Sequence, residues 1–428
     1  MGSSGTIPAL AEDCLCRYLA KKVDEFLPKK LVAAYHHDRN QIVPDKDGCG
    51  YQSSACSKIS GFSGLTNLMG RRCIIFMENV PSIALFLQSY LKKLKVLVIR
   101  FSSIGDIVLT SPILRCMKKQ LNEVEIHVLT KKSFASIYQQ NPFVDKVHLL
   151  EDKLSEIIPS LKNEKFDHIV DLHVNLRSFR IRFALGIKSH SFPKLNLRKY
   201  LLVHFKWKVM PDVHIVDRYF VAVKSLGVKN DGKGIDYFID DQYLMNSGNF
   251  PSGFENGFFA CVIGGNHFTK ILPAEKVIEV IRQLPLPVVL LGGKDDMERA
   301  AHIEQALGNK VWNTCGILKL DQSASLIQQA KAVITNDTGL MHIAAAFNKP
   351  TVSVWGNTVP ELGMFPYIPQ HKERVVIIEK KGLPCRPCSK IGHSSCPKSH
   401  FNCMNQLDTT EIANSLQRIS SFPEKPIL

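Results

Sequence analysis

Residues 95–106, KVLVIRFSSIGD, combine a short apolar, β-branched run with a Ser- and Gly-containing loop that leads into a helical pattern. An uninterrupted apolar run of this length is typical of a strand that is buried on both faces of a parallel sheet. Further strand-like runs at 124–129 and 146–150 alternate with helical patterns at 107–121 and 132–141. This β-α-β-α-β order predicts a parallel sheet with right-handed crossovers. The pattern continues with a strand-like run at 168–172.

The same alternation restarts in the second half of the chain. Strand-like runs there occupy residues 257–263, 288–291, 332–334 and 351–355. We therefore predict an α/β fold with two Rossmann-like parallel-sheet domains, at residues 95–248 and 249–428. Residues 1–94, with one helical pattern at 9–26, read differently and are interpreted as an N-terminal extension of unknown role.

Composition restricts the class of protein. The 428 residues include 54 Lys and Arg against 39 Asp and Glu, a surplus of +15, with 45% hydrophobic and 22% charged residues. These values exclude disordered, collagen-like and coiled-coil chains. The surplus favours an anionic partner, which can be a nucleic acid, a membrane surface or a phosphorylated small molecule.

No membrane span or signal peptide is expected. The apolar stretch at residues 73–91 is interrupted by Glu78, Asn79 and Pro81, and no run of about 18 apolar residues exists. Near the N-terminus, charged residues interrupt the only stretch that resembles a signal peptide. A cytoplasmic location is the expectation.

The loop after the first strand contains the first candidate site. Ser102, Ser103, Gly105 and Asp106 lie where open α/β sheets bind ligands, at the carboxyl end of a strand. An aspartate there either caps the following helix or acts as a general base on a hydroxyl group, and capping is the commoner role.

A second candidate site follows the strand at 332–334. Asp337 and Thr338 are potential helix caps, Gly339 allows close approach of a ligand, and His342 lies on the first helical turn. The N-terminus of such a helix favours a diphosphate. For His342, an equally common role is that of a half-buried polar side chain.

A Gly-rich loop and an acidic loop follow two other strands. Gly264 and Gly265 precede Lys270, but their spacing does not match the P-loop pattern. Lys270 is still interpreted as a phosphate-binding cation, outside a P-loop. The acidic group at 295–298, which includes Glu298, suits a ribose contact or a solvated loop.

Four cysteines cluster near the C-terminus. They are Cys385, Cys388, Cys396 and Cys403, within the segment at 385–403. Four thiolates with one CxxC pair predict a structural zinc site, and two disulfides are the alternative. A structural role is favoured over catalysis in either case.

Residues 175–210 form a basic window. It contains nine Lys and Arg residues, Arg177 and Arg180 among them, and no Asp or Glu. Such a window is either a solvated surface or a surface for an anionic substrate. No nucleic-acid-binding motif accompanies it.

Together the motifs resemble glycosyltransferase family 9, the heptosyltransferases of lipopolysaccharide core assembly. The resemblance covers about residues 94–407 and depends on four passages in order: VLVIRFSSIGDIVLTSP, DLHVNLRS, TNDTGLMHIAAAFNKPTVSVWG and the segment from CRPC to FNCM. It implies the GT-B architecture, in which two Rossmann-like domains face each other across a cleft.

The resemblance also implies a reaction and its residues. The reaction is an inverting, metal-independent transfer of L-glycero-D-manno-heptose from its ADP-activated form to the lipopolysaccharide inner core, with no cofactor required. Asp106 would be the catalytic base. The implied donor-binding residues are Lys270, Glu298, Asp337, Thr338, Gly339, Leu340 and His342, and the predicted acceptor-binding residues are Ser102, Ser103, Gly105, Arg177 and Arg180.

The implied acceptor is an anionic glycolipid of the Kdo-lipid A type. The enzyme would therefore attach peripherally to the inner face of the cytoplasmic membrane, through charge. Two other classes stay open at this point: a GT-B transferase or epimerase acting on another nucleotide sugar, and a nucleic-acid-binding protein.

Overall fold

The computed structural model describes residues 93–422, which belong to one compact unit that begins at Lys93. The predicted N-terminal extension, with its helical pattern at 9–26, lies outside the described residues except for its last two positions. So do the last six residues of the predicted second domain.

Within residues 93–422, two parallel sheets follow one another along the chain. The strands of the first are β1 (Leu94–Ile99), β2 (Val124–Lys131), β3 (Lys146–Leu150), β4 (His168–Asp171) and β5 (Ser189–Ser191), and their order is β3-β2-β1-β4-β5. The strands of the second are β6 (Phe259–Val262), β7 (Val288–Leu291), β8 (Val311–Asn313), β9 (Val333–Asn336), β10 (Thr351–Trp355) and β11 (Val375–Glu379), in the order β11-β10-β9-β6-β7-β8. In both sheets the chain crosses over to return beside a central strand, the arrangement of doubly wound folds.

Helices connect these strands. Those of the first half are α1 (Ile104–Val108), α2 (Ser111–Gln120), α3 (Ser136–Gln139), α4 (Leu154–Asn163), α5 (Leu176–Leu185), α6 (Asn196–Phe205) and α7 (Ile215–Tyr219). Those of the second half are α8 (Ala274–Arg282), α9 (Met297–Leu307), α10 (Leu320–Gln329), α11 (Gly339–Ala346), α12 (Asn402–Asn405) and α13 (Thr409–Ser420).

The predicted strands are present, and two predicted helices differ in detail. The helix expected at 107–121 is divided into α1 and α2, because Pro112 lies in the first turn of α2 and cannot donate a hydrogen bond to a helix that precedes it. The helix expected at 132–141 consists of a short 3₁₀ turn and α3. Strands β5, β8 and β11 were not predicted, because they are short or half exposed at a sheet edge.

Apolar burial joins the two halves. One cluster of buried side chains includes Val96 and Val98 of β1 together with Val333 of β9 and Ile343 of α11. The segment after β10 also packs against α7, where Gly363 accepts a hydrogen bond from the backbone N–H of Ile215 at 2.8 Å. The predicted domain boundary at 248–249 falls between the last strand of the first sheet and the first strand of the second.

No helix within residues 93–422 combines the length and apolar character needed to cross a bilayer.

Three buried histidines predict a loss of stability in mild acid. Burial lowers the pKa of His214 to about 3 and the pKa values of His148 and His342 to about 4. The unfolded chain takes up protons at these side chains below about pH 6.5, whereas the folded chain does so only near its own lower pKa. The stabilising contribution is therefore complete above about pH 6.5 and is lost as the pH falls towards 4.

We expect the free energy of unfolding to fall between about pH 7.5 and about pH 5, by up to about 2 kcal/mol for each of these histidines. Denaturant titration at the two pH values measures this change. His148→Gln should reduce the difference, whereas His302→Gln, at an exposed histidine, should leave it intact. Equal stability at both pH values would contradict the prediction.

Candidate active site

The first two candidate sites lie against each other in the structure. The loop and helix α1 follow β1, the middle strand of the first sheet, and α11 follows β9, a central strand of the second sheet. A Cβ atom placed on Gly105 would lie 3.3 Å from the Cα atom of Gly339 and 2.5 Å from Cδ2 of His342. The carboxyl ends of the two sheets therefore face each other, and the two loops meet where no side chain fits between them.

The contact between these glycines predicts the effect of a single methyl group. In Gly339→Ala, the new Cβ atom would lie 2.8 Å from Cβ of Ile104 and 3.2 Å from the backbone nitrogen of Gly105. Backbone cannot yield as a flexible side chain does, so we expect a loss of about 1–3 kcal/mol of stability. Thermal denaturation and product formation should both decline in this variant.

A matched control is Gly248→Ala, where the nearest atom to the new Cβ is the Asn246 side-chain oxygen at 3.3 Å. This glycine lies in the connection between the two sheets. Unchanged melting temperature and activity in Gly339→Ala would show that the two loops are not packed as closely as described.

Asp106 lies at the start of α1 and is held by three interactions. Its Oδ1 pairs with Nη2 of Arg100 at 2.7 Å, and its Oδ2 accepts from the Ser103 hydroxyl at 2.9 Å and from the Ser103 backbone N–H at 3.3 Å. Burial favours the neutral acid, but Arg100 and the Ser103 hydrogen bonds outweigh it and hold the pKa of Asp106 below its ordinary value. About a quarter of the carboxyl side chain, 24%, stays exposed. Asp106 is therefore ionised at neutral pH and belongs to the capping box of α1, whereas its role as a general base stays a prediction.

Arg100 is a site residue that sequence reasoning missed. It is buried, and it donates through Nη1 to the Leu172 carbonyl at 2.5 Å and through Nε to the Ser102 carbonyl at 2.9 Å. These bonds fix the guanidinium at the carboxyl ends of β1 and β4. The available signal was a lone arginine at the end of an apolar strand, directly before the Ser-Ser-Ile-Gly-Asp loop.

Lys270 and Asp337 come together on the opposite side of the contact. Nζ of Lys270 lies 2.6 Å from Oδ2 of Asp337, and that oxygen also accepts from the Thr358 hydroxyl at 2.9 Å. Both charged side chains are largely buried. The ion pair holds the ammonium group beside the N-terminus of α11.

Asn336 holds the Lys270 loop in place. Its Oδ1 accepts from the backbone N–H of Leu272 at 3.1 Å, and its Nδ2 donates to the carbonyls of Val262 and Gly264 at 3.2 and 3.1 Å. The amide therefore connects the end of β9 with both ends of the Gly-rich loop. Its neighbours Asp337 and His342 drew attention in the sequence, but the role of Asn336 did not.

Polar groups without protein partners surround the start of α11. Nδ1 of His342 and the hydroxyl of Thr338 are buried and have no hydrogen-bond partner within the described part of the chain. Burial lowers the pKa of His342 to about 4, although the nearby carboxylates of Asp337 and Asp106 oppose this shift. A neutral imidazole and a hydroxyl at a helix N-terminus are suitable donors to phosphate oxygens.

Two predicted donor contacts remain: Leu340 is half-buried on the first turn of α11, and Glu298 is less enclosed. Glu298 is exposed on the first turn of α9. The buried acid of that loop is Asp296, which accepts from the Gly293 backbone N–H at 2.9 Å and pairs with Arg299 at 2.9 Å. Asp296 therefore shapes the loop, and the role of Glu298 stays a prediction.

The enclosed cations of the basic window near Asp106 are not Arg177 and Arg180, the two that the sequence suggested as acceptor-binding residues. Arg177 and Arg180 lie exposed on α5. Lys194 and Lys199 are more enclosed: burial lowers the pKa of Lys199 to about 8, with the nearby Arg218 cation adding to the shift and Asp106 opposing it. Burial and the Arg100 cation also lower the pKa of Lys194, which Asp106 again opposes.

Arg218 is a further buried cation that the sequence did not reveal. It donates from Nη2 to the Leu362 carbonyl at 2.9 Å, whereas its Nε and Nη1 have no partner within residues 93–422. Together with Lys194 and Lys199 it makes this side of the cleft electropositive, the property expected of a site for an anionic acceptor.

The cysteine-rich segment supports the Lys270 loop. The backbone N–H of His393 donates to the Thr269 hydroxyl at 2.8 Å, and Thr269 in turn donates from its backbone N–H to the His393 carbonyl at 3.2 Å. From the other half of the molecule, Nζ of Lys206 donates to the Pro387 carbonyl at 2.7 Å. The segment therefore contacts both halves.

The four cysteines are free thiols, with no disulfide among the described residues. They lie close enough to influence one another, since burial and the neighbouring thiols raise the pKa of Cys403 to about 11. In residues 93–422, however, no three of their sulfurs share the mutual spacing of metal ligands. This spacing gives no support for the predicted tetrahedral zinc site, which stays a prediction.

Three other side chains, on β2, on β3 and at the end of α4, do have the mutual spacing of metal ligands. His127, His148 and Glu164 place ligand atoms within 4.8 Å of one another. Glu164 is already paired with Nζ of Lys95 at 3.1 Å and with Nζ of Lys146 at 2.5 Å. Because these ammonium groups neutralise the carboxylate, we assign the group a structural role.

Comparison with known proteins decides the family. The sequence profile described as "Glycosyltransferase family 9 (heptosyltransferase)" matches residues 155–397, more than half of the chain. The chain belongs to glycosyltransferase family 9. The family profile begins in α4 and ends in the cysteine-rich segment, so it includes the Lys270 loop and the start of α11.

Curated relatives agree with this family assignment. The lipopolysaccharide heptosyltransferase 2 of Escherichia coli (strain K12) is 25% identical over 317 residues, which cover 66% of this chain and 88% of that protein. The lipopolysaccharide heptosyltransferase 1 of Campylobacter coli is 25% identical over 293 residues, covering 62% of this chain and 84% of that protein.

Solved structures of the family share the fold. E. coli ADP-heptose lipopolysaccharide heptosyltransferase II superposes with a TM-score of 0.59 at 21% identity, covering 76% of this chain and 98% of that one. A family 9 glycosyltransferase from Veillonella parvula gives a TM-score of 0.60 at 17% identity, covering 77% and 98%. The predicted GT-B α/β fold and the predicted enzyme class, a family 9 glycosyltransferase, are confirmed.

Proposed function

We propose that this family 9 enzyme transfers L-glycero-D-manno-heptose from its ADP-activated form to the lipopolysaccharide inner core, with inversion and without a metal ion. The observation that carries the proposal is the meeting of the two loops: ionised Asp106 on one side, and Lys270, His342 and the N-terminus of α11 on the other. One half supplies a base and the other a site for an anionic leaving group. The relatives in E. coli and Campylobacter coli are named as heptosyltransferases, which supports heptose as the donor sugar.

The base side accounts for attack by the acceptor. In an inverting transfer, the acceptor oxygen bonds to the anomeric carbon from the face opposite the diphosphate, while the bond from that carbon to the diphosphate oxygen breaks. The hydroxyl proton passes to a carboxylate oxygen of Asp106 as the new bond forms. The low pKa of Asp106 keeps the carboxylate ionised at neutral pH and so ready to accept this proton.

The other side accounts for departure of ADP. Negative charge develops on the diphosphate as the glycosidic bond breaks. The Lys270 ammonium group, the backbone N–H groups at the start of α11 and the neutral His342 ring are donors fixed in advance for that charge. Preorganised donors of this kind stabilise the transition state without reorganising during the reaction.

For the acceptor we propose an anionic glycolipid of the Kdo-lipid A type. The electropositive side of the cleft, formed by Lys194, Lys199 and Arg218, supports an acidic acceptor. With such an acceptor the enzyme would work in the cytoplasm at the inner face of the membrane. Arg177 and Arg180, being exposed on α5, are available to the outer parts of the same glycolipid.

The test is release of ADP from ADP-heptose, with and without a Kdo-containing lipid A acceptor, in the presence of EDTA. We expect release that requires the acceptor and is insensitive to EDTA. Consumption of the nucleotide sugar without acceptor would favour the epimerase alternative. No release with ADP-heptose, but release with another nucleotide sugar, would overturn the choice of donor and keep the transferase assignment.

A further inference from the structure

Exposed hydrophobic side chains are concentrated on two consecutive helices and directly after the second of them. Of the fifteen large hydrophobic side chains that are exposed within residues 93–422, seven lie between positions 176 and 207. We refer to these seven as the aromatic face: Leu176, Phe179, Phe183, Leu197, Tyr200, Phe205 and Trp207. Phe183 is 81% exposed and Trp207 is 56% exposed. Single exposed hydrophobic residues are ordinary, but such a concentration marks an interaction surface.

The helices that bear this face have their inner sides occupied. On α5, Ser178 and Ile181 are buried against the protein, and on α6 the buried residue is Leu202. The rings of Phe179 and Phe183 stack with centroids 6.4 Å apart, and those of Phe205 and Trp207 lie 5.5 Å apart. Lys194, two residues before α6, donates from Nζ to the carbonyl of Val174, two residues before α5, at 2.8 Å, so the starts of the two helices lie close together. The aromatic side chains are therefore an outer layer and not part of the core.

Cations surround the aromatic face, and acids are absent from its sequence. Residues 175–210 contain nine Lys and Arg residues and no Asp or Glu. Exposed cations such as Arg198 and Lys208 alternate with the exposed rings. A second copy of this chain would place the same cations against each other, so charge disfavours self-association through this surface. Aromatic rings among lysines and arginines suit the interface of an anionic bilayer, where apolar side chains enter and cations meet phosphate groups.

We propose that the aromatic face inserts into the interfacial region of an anionic membrane and so anchors the enzyme at the bilayer that contains its acceptor. The proposal rests on the proposed function only for the identity of that acceptor. It differs from attachment through charge alone, because aromatic rings that are inserted into the bilayer maintain binding when salt screens the cations. The partner is a phospholipid surface; binding to a second protein copy is an alternative outcome of the test.

Trp207 provides a built-in reporter. The chain has three tryptophans, and Trp355 is buried while Trp312 packs against Phe250 and Phe254. Trp207 is the one that is exposed. We expect its emission to shift to shorter wavelength when the full-length protein is mixed with vesicles of phosphatidylcholine containing about 30% phosphatidylglycerol. Brominated acyl chains should quench that emission, and Trp207→Phe should remove the change while binding persists.

Flotation of the protein with the same vesicles measures the affinity. We expect Phe183→Ser combined with Trp207→Ser to lower the partition coefficient by about tenfold or more, because two large apolar groups are no longer buried. Ile317→Ser, which removes an exposed hydrophobic side chain elsewhere in the fold, is the matched control and should bind normally. Lys208→Glu should weaken binding at low salt more than in about 0.5 M NaCl.

Three results would overturn the proposal. They are equal partitioning of the double variant and the wild type, an unshifted Trp207 emission on anionic vesicles, and a dimer in solution that the double variant abolishes. Failure of the proposed function is distinguishable, because it is read from ADP release with a detergent-solubilised acceptor. Vesicle binding without transfer would retract the function and keep the anchor, and transfer without vesicle binding would do the reverse.

Discussion

Asp106→Asn is expected to reduce the turnover number by about 10²- to 10⁴-fold, the usual contribution of a general base. Asparagine has nearly the same shape as aspartate and can still accept the Ser103 hydrogen bonds, but it cannot take the proton of the acceptor hydroxyl. The affinity for ADP should be unchanged, because Lys270 and the start of α11 lie on the other side of the contact. Steady-state kinetics and calorimetric titration with ADP measure the two quantities separately.

Asparagine is a better probe than alanine at this position. Asp106→Ala should also abolish transfer, but alanine has no oxygen to accept the Ser103 hydrogen bonds, whereas both variants remove the carboxylate that pairs with Arg100 at 2.7 Å. We therefore expect the alanine variant to be less stable than the asparagine variant. Asp212→Asn, at an exposed aspartate of the same domain, is the control and should be fully active. Near-normal turnover by Asp106→Asn would remove Asp106 from the role of base.

Lys270→Ala is expected to produce the second large loss, a decrease of about 10²- to 10³-fold in turnover. The ammonium group lies 2.6 Å from Asp337 at the start of α11, where it would balance the charge of the departing diphosphate. Its removal also leaves the Asp337 carboxylate uncompensated beside that anion. We therefore expect weaker binding of both ADP and the nucleotide sugar, in contrast to Asp106→Asn.

Two controls separate charge from position at Lys270. Lys276→Ala removes a lysine on the next helix, where it pairs with Glu279 at 3.5 Å, and should have little effect. Lys270→Arg keeps the charge and should restore part of the ADP affinity but less of the turnover, because the longer planar group cannot occupy the same position. ADP affinity in Lys270→Ala equal to that of the wild type would show that Lys270 does not contact the diphosphate.

Local patterns were sufficient for the architecture. The largely apolar runs at 257–263, 288–291 and 351–355 contain β6, β7 and β10, in which every residue is buried, because a strand that is covered on both faces of a sheet is largely apolar. Short polar strands were not predicted, because they lack such an apolar run. Strand β5 (Ser189–Ser191) is a half-exposed run of three polar residues at a sheet edge, and nothing in its composition distinguishes it from a loop.

The candidate site likewise contains residues that the sequence indicated and residues that it did not. The Ser-Ser-Ile-Gly-Asp and Asn-Asp-Thr-Gly motifs are contiguous in sequence and lie at strand ends, where the fold itself places ligands. Other site residues bind partners that are distant in sequence. Arg100 donates to the Leu172 carbonyl, Arg218 to the Leu362 carbonyl and Asn336 to the Val262 carbonyl. No periodicity in the sequence indicates such partners, because they are chosen by the packing of separate strands.

Residue order and type were sufficient to predict the two parallel-sheet units, the position of each motif at a strand end, the basic window and the family resemblance. The packing of the elements, and not the sequence, shows that Gly105 and Gly339 lie in contact and that Arg100 pairs with Asp106. It also shows that no three of the four cysteine sulfurs have the mutual spacing of metal ligands. It also decided that the hydrophobic residues of the basic window face outward. The physical reason is that hydrophobic patterning specifies local elements, whereas distances between side chains far apart in sequence depend on how those elements pack.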